Sequence, residues 1–194
     1  MRPPGEDNPA IASARDTLVT ELREHALVIG EVSLTSGRTA QCYVDAKRAI
    51  LRPLGFRALG ELVAERVTRW EASAVGGMTM GADPVACAAL AAGADAKAFF
   101  VRKEAKAHGL QRSIEGPPLE PGERCLVVED VVTTGGSTVA ALERVLEAGH
   151  DVVGVVSVLD RLAGGDAAIA AASGGAPYVA LATIDDVYPE RPDK

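Results

Sequence analysis

The chain has 194 residues, 47% of them hydrophobic but only 4% aromatic, and a formal net charge of −7. That length most simply makes one domain, with a core built from Ala, Val and Leu as in helices packed on a parallel sheet. The negative balance argues against nucleic acid as the main partner, because such binding rests on basic surface, and positive charge must be concentrated wherever anions bind. Cys42, Cys87 and Cys125 are odd in number, far apart and in no C-x-x-C pair. Neither a disulfide framework nor a zinc knuckle is indicated, and three reduced, mostly buried thiols are expected. The opening MRPPGEDNPA has no apolar h-region, and no run reaches about 18 uncharged apolar residues, which points to a soluble cytoplasmic protein without a membrane span.

Taken in chain order, residues 1–8 read as a flexible polar tail and 9–194 as a single domain. Asn8 and Pro9 start a helix whose apolar stripe includes Ile11, Leu18 and Leu22. Short strands follow at 31–34 and 42–44 around a turn at Ser36 and Gly37, then a helix over 54–70 carried by Leu59, Leu62, Val63 and Val67. These elements, largely 9–70, form a small hood over a core at 71–190. The core alternates: strand 74–76, helix 83–92, strand 98–101, a long polar loop from about 102 to 123, strand 125–128, helix 137–148 ended by Gly149, strand 152–159, helix 166–172 and strand 178–182. Strand and helix in turn predict an α/β fold with a doubly wound, mainly parallel sheet flanked by helices. In such sheets ligands bind beyond the carboxyl ends of the strands, where every motif below falls.

Residues 126–138, LVVEDVVTTGGST, are the most informative stretch. An apolar strand ends in Glu129 and Asp130, carboxylates able to bond vicinal ribose hydroxyls. Thr133, Thr134, Gly135, Gly136 and Ser137 then bring small side chains and free N–H groups to a helix start, where phosphate is attracted. One helix-dipole contact contributes only about 0.3–2 kcal/mol, so several donors must converge on one dianionic group. No lysine precedes Ser137 or Thr138, which excludes a Walker A loop, and no Rossmann fingerprint is present. A strand and a capped helix with merely solvated acids would be the plain alternative. The order of acids, threonines, glycines and cap favours a phosphoribosyl cradle instead.

This run resembles the phosphoribosyl pyrophosphate (PRPP) signature of the type I phosphoribosyltransferase family. A second segment, FVRKEAKAHG at 100–109, puts Arg102, Lys103, Lys106 and His108 on a loop too polar and too long for an ordinary connection. By itself it could be a solvated helical turn, since Lys103 and Lys106 are three apart. Beside a PRPP cradle it suits a lid that places cations on departing pyrophosphate and excludes water. Together the two segments resemble the orotate phosphoribosyltransferase branch. SLTSGRTAQCYVDAKR at 33–48 is similar to that family's orotate-side segment, GGMTMGADP at 76–84 to its pyrophosphate loop, and VVSVLDR at 155–161 to its strand ending in a substrate-binding arginine.

The resemblance implies the type I phosphoribosyltransferase fold and transfer of the phosphoribosyl group from PRPP to orotate, giving orotidine 5′-monophosphate in pyrimidine biosynthesis. It assigns ribose hydroxyls to Glu129 and Asp130, and the 5′-phosphate to Thr133–Ser137 next to Val131 and Val132. Pyrophosphate goes to Arg102, Lys103, Lys106 and His108, and orotate to Thr133 and Arg161. An arginine suits the orotate carboxylate as a planar bidentate donor, although Arg161 packing on a loop is the alternative. Catalysis would fall to Lys106, His108 and Asp130. The family's loop closes over the neighbouring subunit, so a homodimer with shared sites is implied. Many members carry lysines where this chain has Thr35 and Met80. Lys47 or Arg48 could supply that charge, or both could be solvated strand-end residues. Asp83 and Pro84 read as helix N-cap and first helical residue.

The expected reaction is displacement at ribose C1 by an orotate ring nitrogen, through a transition state of oxocarbenium character. Orotate is already anionic and needs no strong base, while Lys106 or His108 protonates or hydrogen-bonds the leaving group. Mg²⁺ is the implied cofactor, held mainly by PRPP and water and by no cluster of protein ligands. Two rivals remain at this level: a type I enzyme for adenine or xanthine, against which the basic loop and Arg161 speak, and a PRPP-sensing regulator that has lost chemistry. No nucleic acid or membrane partner is expected.

Overall fold

A computed structural model describes residues 8–33, 39–103 and 113–191. Helix α1 (Pro9–Glu21) begins as the sequence predicts, with the Asn8 side chain accepting from Ala10 N at 3.0 Å and proline in the first turn. It runs into a π-helical turn at Leu22–Ala26 and then an antiparallel ribbon, β1 (Leu27–Ser33) with β2 (Thr39–Val44). The predicted turn at Ser36 and Gly37 lies outside the described residues, as does Thr35. Helix α2 (Lys47–Ile50) and α3 (Pro53–Arg69) complete this part. Lys47 therefore starts a helix, and the strand-end alternative is corrected.

The main sheet contains β3 (Ala74–Met78), β4 (Lys97–Val101), β5 (Ile114–Glu115), β6 (Arg124–Val132), β7 (Asp151–Asp160) and β8 (Tyr178–Thr183), in the order β5-β4-β3-β6-β7-β8. All neighbours are parallel except β5, which pairs antiparallel to β4 at Phe100↔Glu115 and Val101↔Ile114. The connections run through α4 (Asp83–Ala91), α5 (Gly136–Glu147) and α6 (Gly165–Ala172), and α7 (Ile184–Val187) follows β8. β5 lies within the stretch predicted as plain loop. Two residues show no period, and only pairing across the sheet defines them.

Helices cover both faces. Over 125–128 alternate residues of β6 separate: Leu126 and Val128 join the buried cluster of α1, α3 and α4, whereas Cys125 and Val127 join that of α5 and α6; at the strand's end the sides exchange, Val131 packing on the first cluster and Val132 joining the second. Cys125 is fully buried and Cys87 is exposed; the side chain of Cys42 lies outside the described residues. Among the described residues no helix is long and apolar enough to cross a membrane.

Chain direction through the sheet reverses at β3, whose neighbours are β4 on one side and β6 on the other. Pairing of β3 with β6 stops at Gly76↔Val127, while pairing of β6 with β7 continues to Val132↔Asp160. The last third of β6 is thus unpaired on its β3 side, at the place where doubly wound sheets bind ligands.

Candidate active site

Glu129 and Asp130 stand on the unpaired margin of β6, which runs past them to Val132; the sequence reading that ended this strand at the acids is corrected. Strand parity sends the two carboxylates to different supports. Glu129 shares the face of Val127 and meets α5: its Oε2 accepts from Ser137 Oγ at 2.6 Å and Thr138 Oγ1 at 3.3 Å. Asp130 shares the face of Val128 and meets the hood: its Oδ2 accepts from Lys47 Nζ at 2.9 Å, and its Oδ1 from Val131 N at 2.8 Å. Both are buried, at 4% and 9% exposure.

The two acids converge on Gly81, in the loop between β3 and α4. A Cβ there would overlap Asp130 Oδ1 and come within 3.0 Å of Glu129 Oε1, so glycine alone fits. The Thr79–Met80 peptide bond in this loop is cis. Asp83 does not cap α4 as expected. It is the first helical residue, Ala82 is the cap, and Asp83 Oδ2 accepts from Thr79 Oγ1 at 2.7 Å.

Electrostatics divide the pair further. Burial pushes the Glu129 carboxyl up to about 7; the Ser137 hydrogen bond opposes that rise and the neighbouring Asp130 charge adds to it. Lys47 loses solvation, which alone would lower its pKa, but its contacts with Asp130 and Asp45 outweigh burial and hold the ammonium above its ordinary value.

The turn after β6 is shaped for an anion. Gly135 caps α5 with φ 80°, a left-handed conformation that glycine adopts without strain, and Val139 N returns to Gly135 O at 2.8 Å. The N–H groups of the first helical turn have no acceptor within the helix. Thr133, Thr134, Gly136 and Ser137 are exposed on this turn. Ser137 is not a helix cap, as its hydroxyl is turned back onto Glu129. Arg161, at the end of β7, adjoins the same turn through Arg161 N to Val132 O at 2.9 Å.

The basic segment stands apart. Arg102 and Lys103 line a cavity of about 580 Å³ with Thr79, Met80, Phe100 and Glu115. Arg102 Nη1 lies 3.4 Å from Glu115 Oε1, and Arg144 of α5 donates to the carbonyls of Arg102 at 2.6 Å and Lys103 at 2.8 Å. Lys106 and His108 lie outside the described residues. Thus Glu129, Asp130, Val131, Val132, the 133–137 turn and Arg161 come together, while Arg102 and Lys103 sit near the Met80 loop.

The phosphoribosyl transferase domain family matches residues 49–175. Orotate phosphoribosyltransferase of Corynebacterium glutamicum is 49% identical, covering 91% of this chain and 95% of that one. The chain belongs to the orotate phosphoribosyltransferase family. Two crystal structures of the Mycobacterium tuberculosis orotate phosphoribosyltransferase agree. The complex with Fe(III) dicitrate is 44% identical with a TM-score of 0.80, covering 90% of this chain and 99% of that one. The complex with PRPP is 38% identical with a TM-score of 0.74, covering 90% and 92%. The type I phosphoribosyltransferase fold expected from the sequence is therefore the fold of this member too.

Some residues of the site were not singled out from the sequence. Thr138 follows Ser137 and could have been read as a second hydroxyl one position on. Gly81 was legible only as part of a small-residue loop, and its closeness to the acids is a long-range fact. Arg144 carries no local signal, since an arginine on the last turns of a helix ordinarily serves the helix dipole.

Proposed function

We infer that this protein transfers the 5-phosphoribosyl group of PRPP to orotate, releasing pyrophosphate and forming orotidine 5′-monophosphate, the nucleotide precursor of UMP. The observation that carries the reading is the junction of β6 and α5, where two buried, adjacent carboxylates face a glycine while a left-handed glycine opens a helix N-terminus one turn away. One end suits vicinal hydroxyls, the other a terminal phosphate.

In this reading Glu129 and Asp130 accept from the ribose hydroxyls and fix the sugar, while the Thr133–Ser137 turn binds the 5′-phosphate through backbone N–H groups and hydroxyls. The anomeric carbon is left facing the acceptor. Arg161, planar and bidentate, binds the orotate carboxylate. The orotate ring nitrogen forms the new bond to C1 as the C1–O bond to pyrophosphate breaks, and the electron pair leaves with pyrophosphate. Arg102, Lys103, Lys106 and His108 receive that charge, with Lys106 or His108 supplying a proton or hydrogen bond. Such proton help adds about 10²–10⁴-fold.

Magnesium fits this site in one manner. The acids offer hard oxygen ligands beside a cradle that no Cβ can enter, yet Asp130 Oδ2 already holds an ammonium. That donor set suits an ion held chiefly by PRPP oxygens and water, and not an all-protein cage. When bound, Mg²⁺ neutralises charge on the pyrophosphate. Among the described residues the carboxylate–histidine group with metal-like spacing is Glu21, Glu24 and His25, where α1 passes into the π-helical turn, and it includes neither acid of the pair.

We further read the protein as a homodimer whose basic loop serves the partner's site. Equimolar mixing of a Lys106→Ala chain with an Asp130→Asn chain should restore activity, and no recovery despite proven subunit exchange would contradict sharing. The transfer itself is tested by the loss of orotate absorbance with PRPP and Mg²⁺, repeated with each omitted. Turnover of adenine or xanthine without turnover of orotate would overturn the assignment of the acceptor.

A further inference from the structure

We propose that Lys47 is a substrate-positioning residue, a hood lysine that fixes the Asp130 carboxylate in the orientation in which it receives the ribose of the phosphoribosyl donor. Lys47 Nζ lies 2.9 Å from Asp130 Oδ2 and 2.9 Å from Asp45 Oδ1, bridging a hood acid and a core acid. The other oxygen, Asp130 Oδ1, is held by Val131 N at 2.8 Å and is hemmed in by Gly81. With both oxygens fixed from opposite sides, the carboxylate cannot turn about its Cβ–Cγ bond. Removing Lys47 frees one of them.

The lysine is itself presented rigidly. It opens α2, whose neighbours Ala46, Ala49 and Ile50 are all fully buried. Behind them Gly55 of α3 lies so close to the Ala49 carbonyl that a Cβ there would overlap it, which locks α2 against α3. An ammonium has three N–H donors; Asp130 accepts one, and Asp45 pairs with the charge at 2.9 Å. The side chain is 36% exposed, so the ammonium remains open to solvent and is not sealed in the core. Arg48, the neighbouring cation, is exposed. Among the described residues Arg48 forms no ion pair with either acid.

This inference rests on the phosphoribosyl-transfer reading of the site. Titration calorimetry with Mg²⁺ and PRPP, together with steady-state kinetics, tests it on the wild type, Lys47→Met, Lys47→Arg, Asp130→Asn and the Lys47→Met/Asp130→Asn double variant. Lys47→Met should bind PRPP about tenfold or more weakly, with the KM for PRPP rising in step, the KM for orotate unchanged and Tm preserved. Lys47→Arg should recover most of the loss. The double variant should bind PRPP no more weakly than Asp130→Asn alone, because the lysine acts through that carboxylate. PRPP affinity of Lys47→Met within twofold of wild type, or a double variant weakened by the product of the two single effects, would overturn the proposal. If Lys47→Met unfolds, Lys47→Arg and Lys47→Gln take its place, and equal affinity in those two overturns it as well. Failure of the wild type to bind PRPP would instead defeat the functional reading.

Discussion

The acid junction at 129–138 and the basic stem at 102–103 both lie at carboxyl ends of strands in the main sheet, but they are held differently. In the junction the functional side chains are themselves the fixed groups: Glu129 is tied by two hydroxyls, and Asp130 by a lysine and a backbone N–H. In the stem it is the backbone that α5 holds, while Arg102 pairs with Glu115 at 3.4 Å and Lys103 is exposed. Arg144 grips the carbonyls of Arg102 and Lys103, and Arg102 N donates to Ser113 O at 2.9 Å across the base of the segment. The lesson is a division of labour. In the proposed mechanism the carboxylates that receive ribose hydroxyls are preorganised in the core, where an unpaired buried charge would be costly. The cations proposed to reach the leaving group follow a base that Arg144 anchors.

If that division is right, substitutions in the two regions fail differently. The largest effect of a single change is expected for Lys106→Ala, with kcat lower by about 10²–10⁴-fold and PRPP affinity much less affected; calorimetry beside single-turnover kinetics separates the two. Unchanged turnover would remove the basic loop from the mechanism. Next comes Arg161→Ala, which takes away a charge-assisted pair of about 1.5–3 kcal/mol and should raise the KM for orotate roughly 10- to 100-fold while the KM for PRPP stays put. A matching rise for PRPP would show that Arg161 shapes the phosphate turn and does not read the acceptor.

Arg144 offers a sharper probe because its hydrogen bonds to the stem are to backbone carbonyls. Arg144→Ala should lower kcat by about three- to tenfold through a loosened stem, with PRPP affinity retained, and Arg144→Lys should recover part of it. Loss of PRPP binding in step with kcat would dissolve the contrast between the regions. The smallest effect concerns pH. The Glu129 carboxyl is raised to about 7 from about 4.5, so the folded protein binds that proton more tightly than the unfolded chain. Its contribution to stability is therefore complete below about 4.5 and is lost as pH climbs through about 7. The ligand-free protein should lose on the order of a few degrees of Tm across that window, and Glu129→Gln should flatten the decline. An identical decline in the variant would assign it to another group.

Much of this architecture is legible in the sequence for a physical reason. Periodicity and turn chemistry are local, so alternating strands and helices, the Asn8–Pro9 start and the acid-threonine-glycine junction can be read within windows of a dozen residues. What escapes is what depends on distant partners. Ser137 looks like a helix cap, yet a buried carboxylate eight positions earlier captures its hydroxyl. Asp83 looks like a cap too and instead serves Thr79. Lys47 and Asp130 are 83 positions apart, and no pattern around either one reveals the bond. The length of β6 was misjudged because charged residues depress strand propensity, while its partner β7 carries the ladder on to Val132 regardless.

The central claim is that the β6–α5 junction is the PRPP site, and titration calorimetry with Mg²⁺ tests it most directly on the wild type and on a Glu129→Gln/Asp130→Asn double variant of unchanged fold. Saturable binding by the wild type, with affinity lost by about 10²-fold or more in the double variant, is the expected result. Equal affinity in the two proteins would contradict the account.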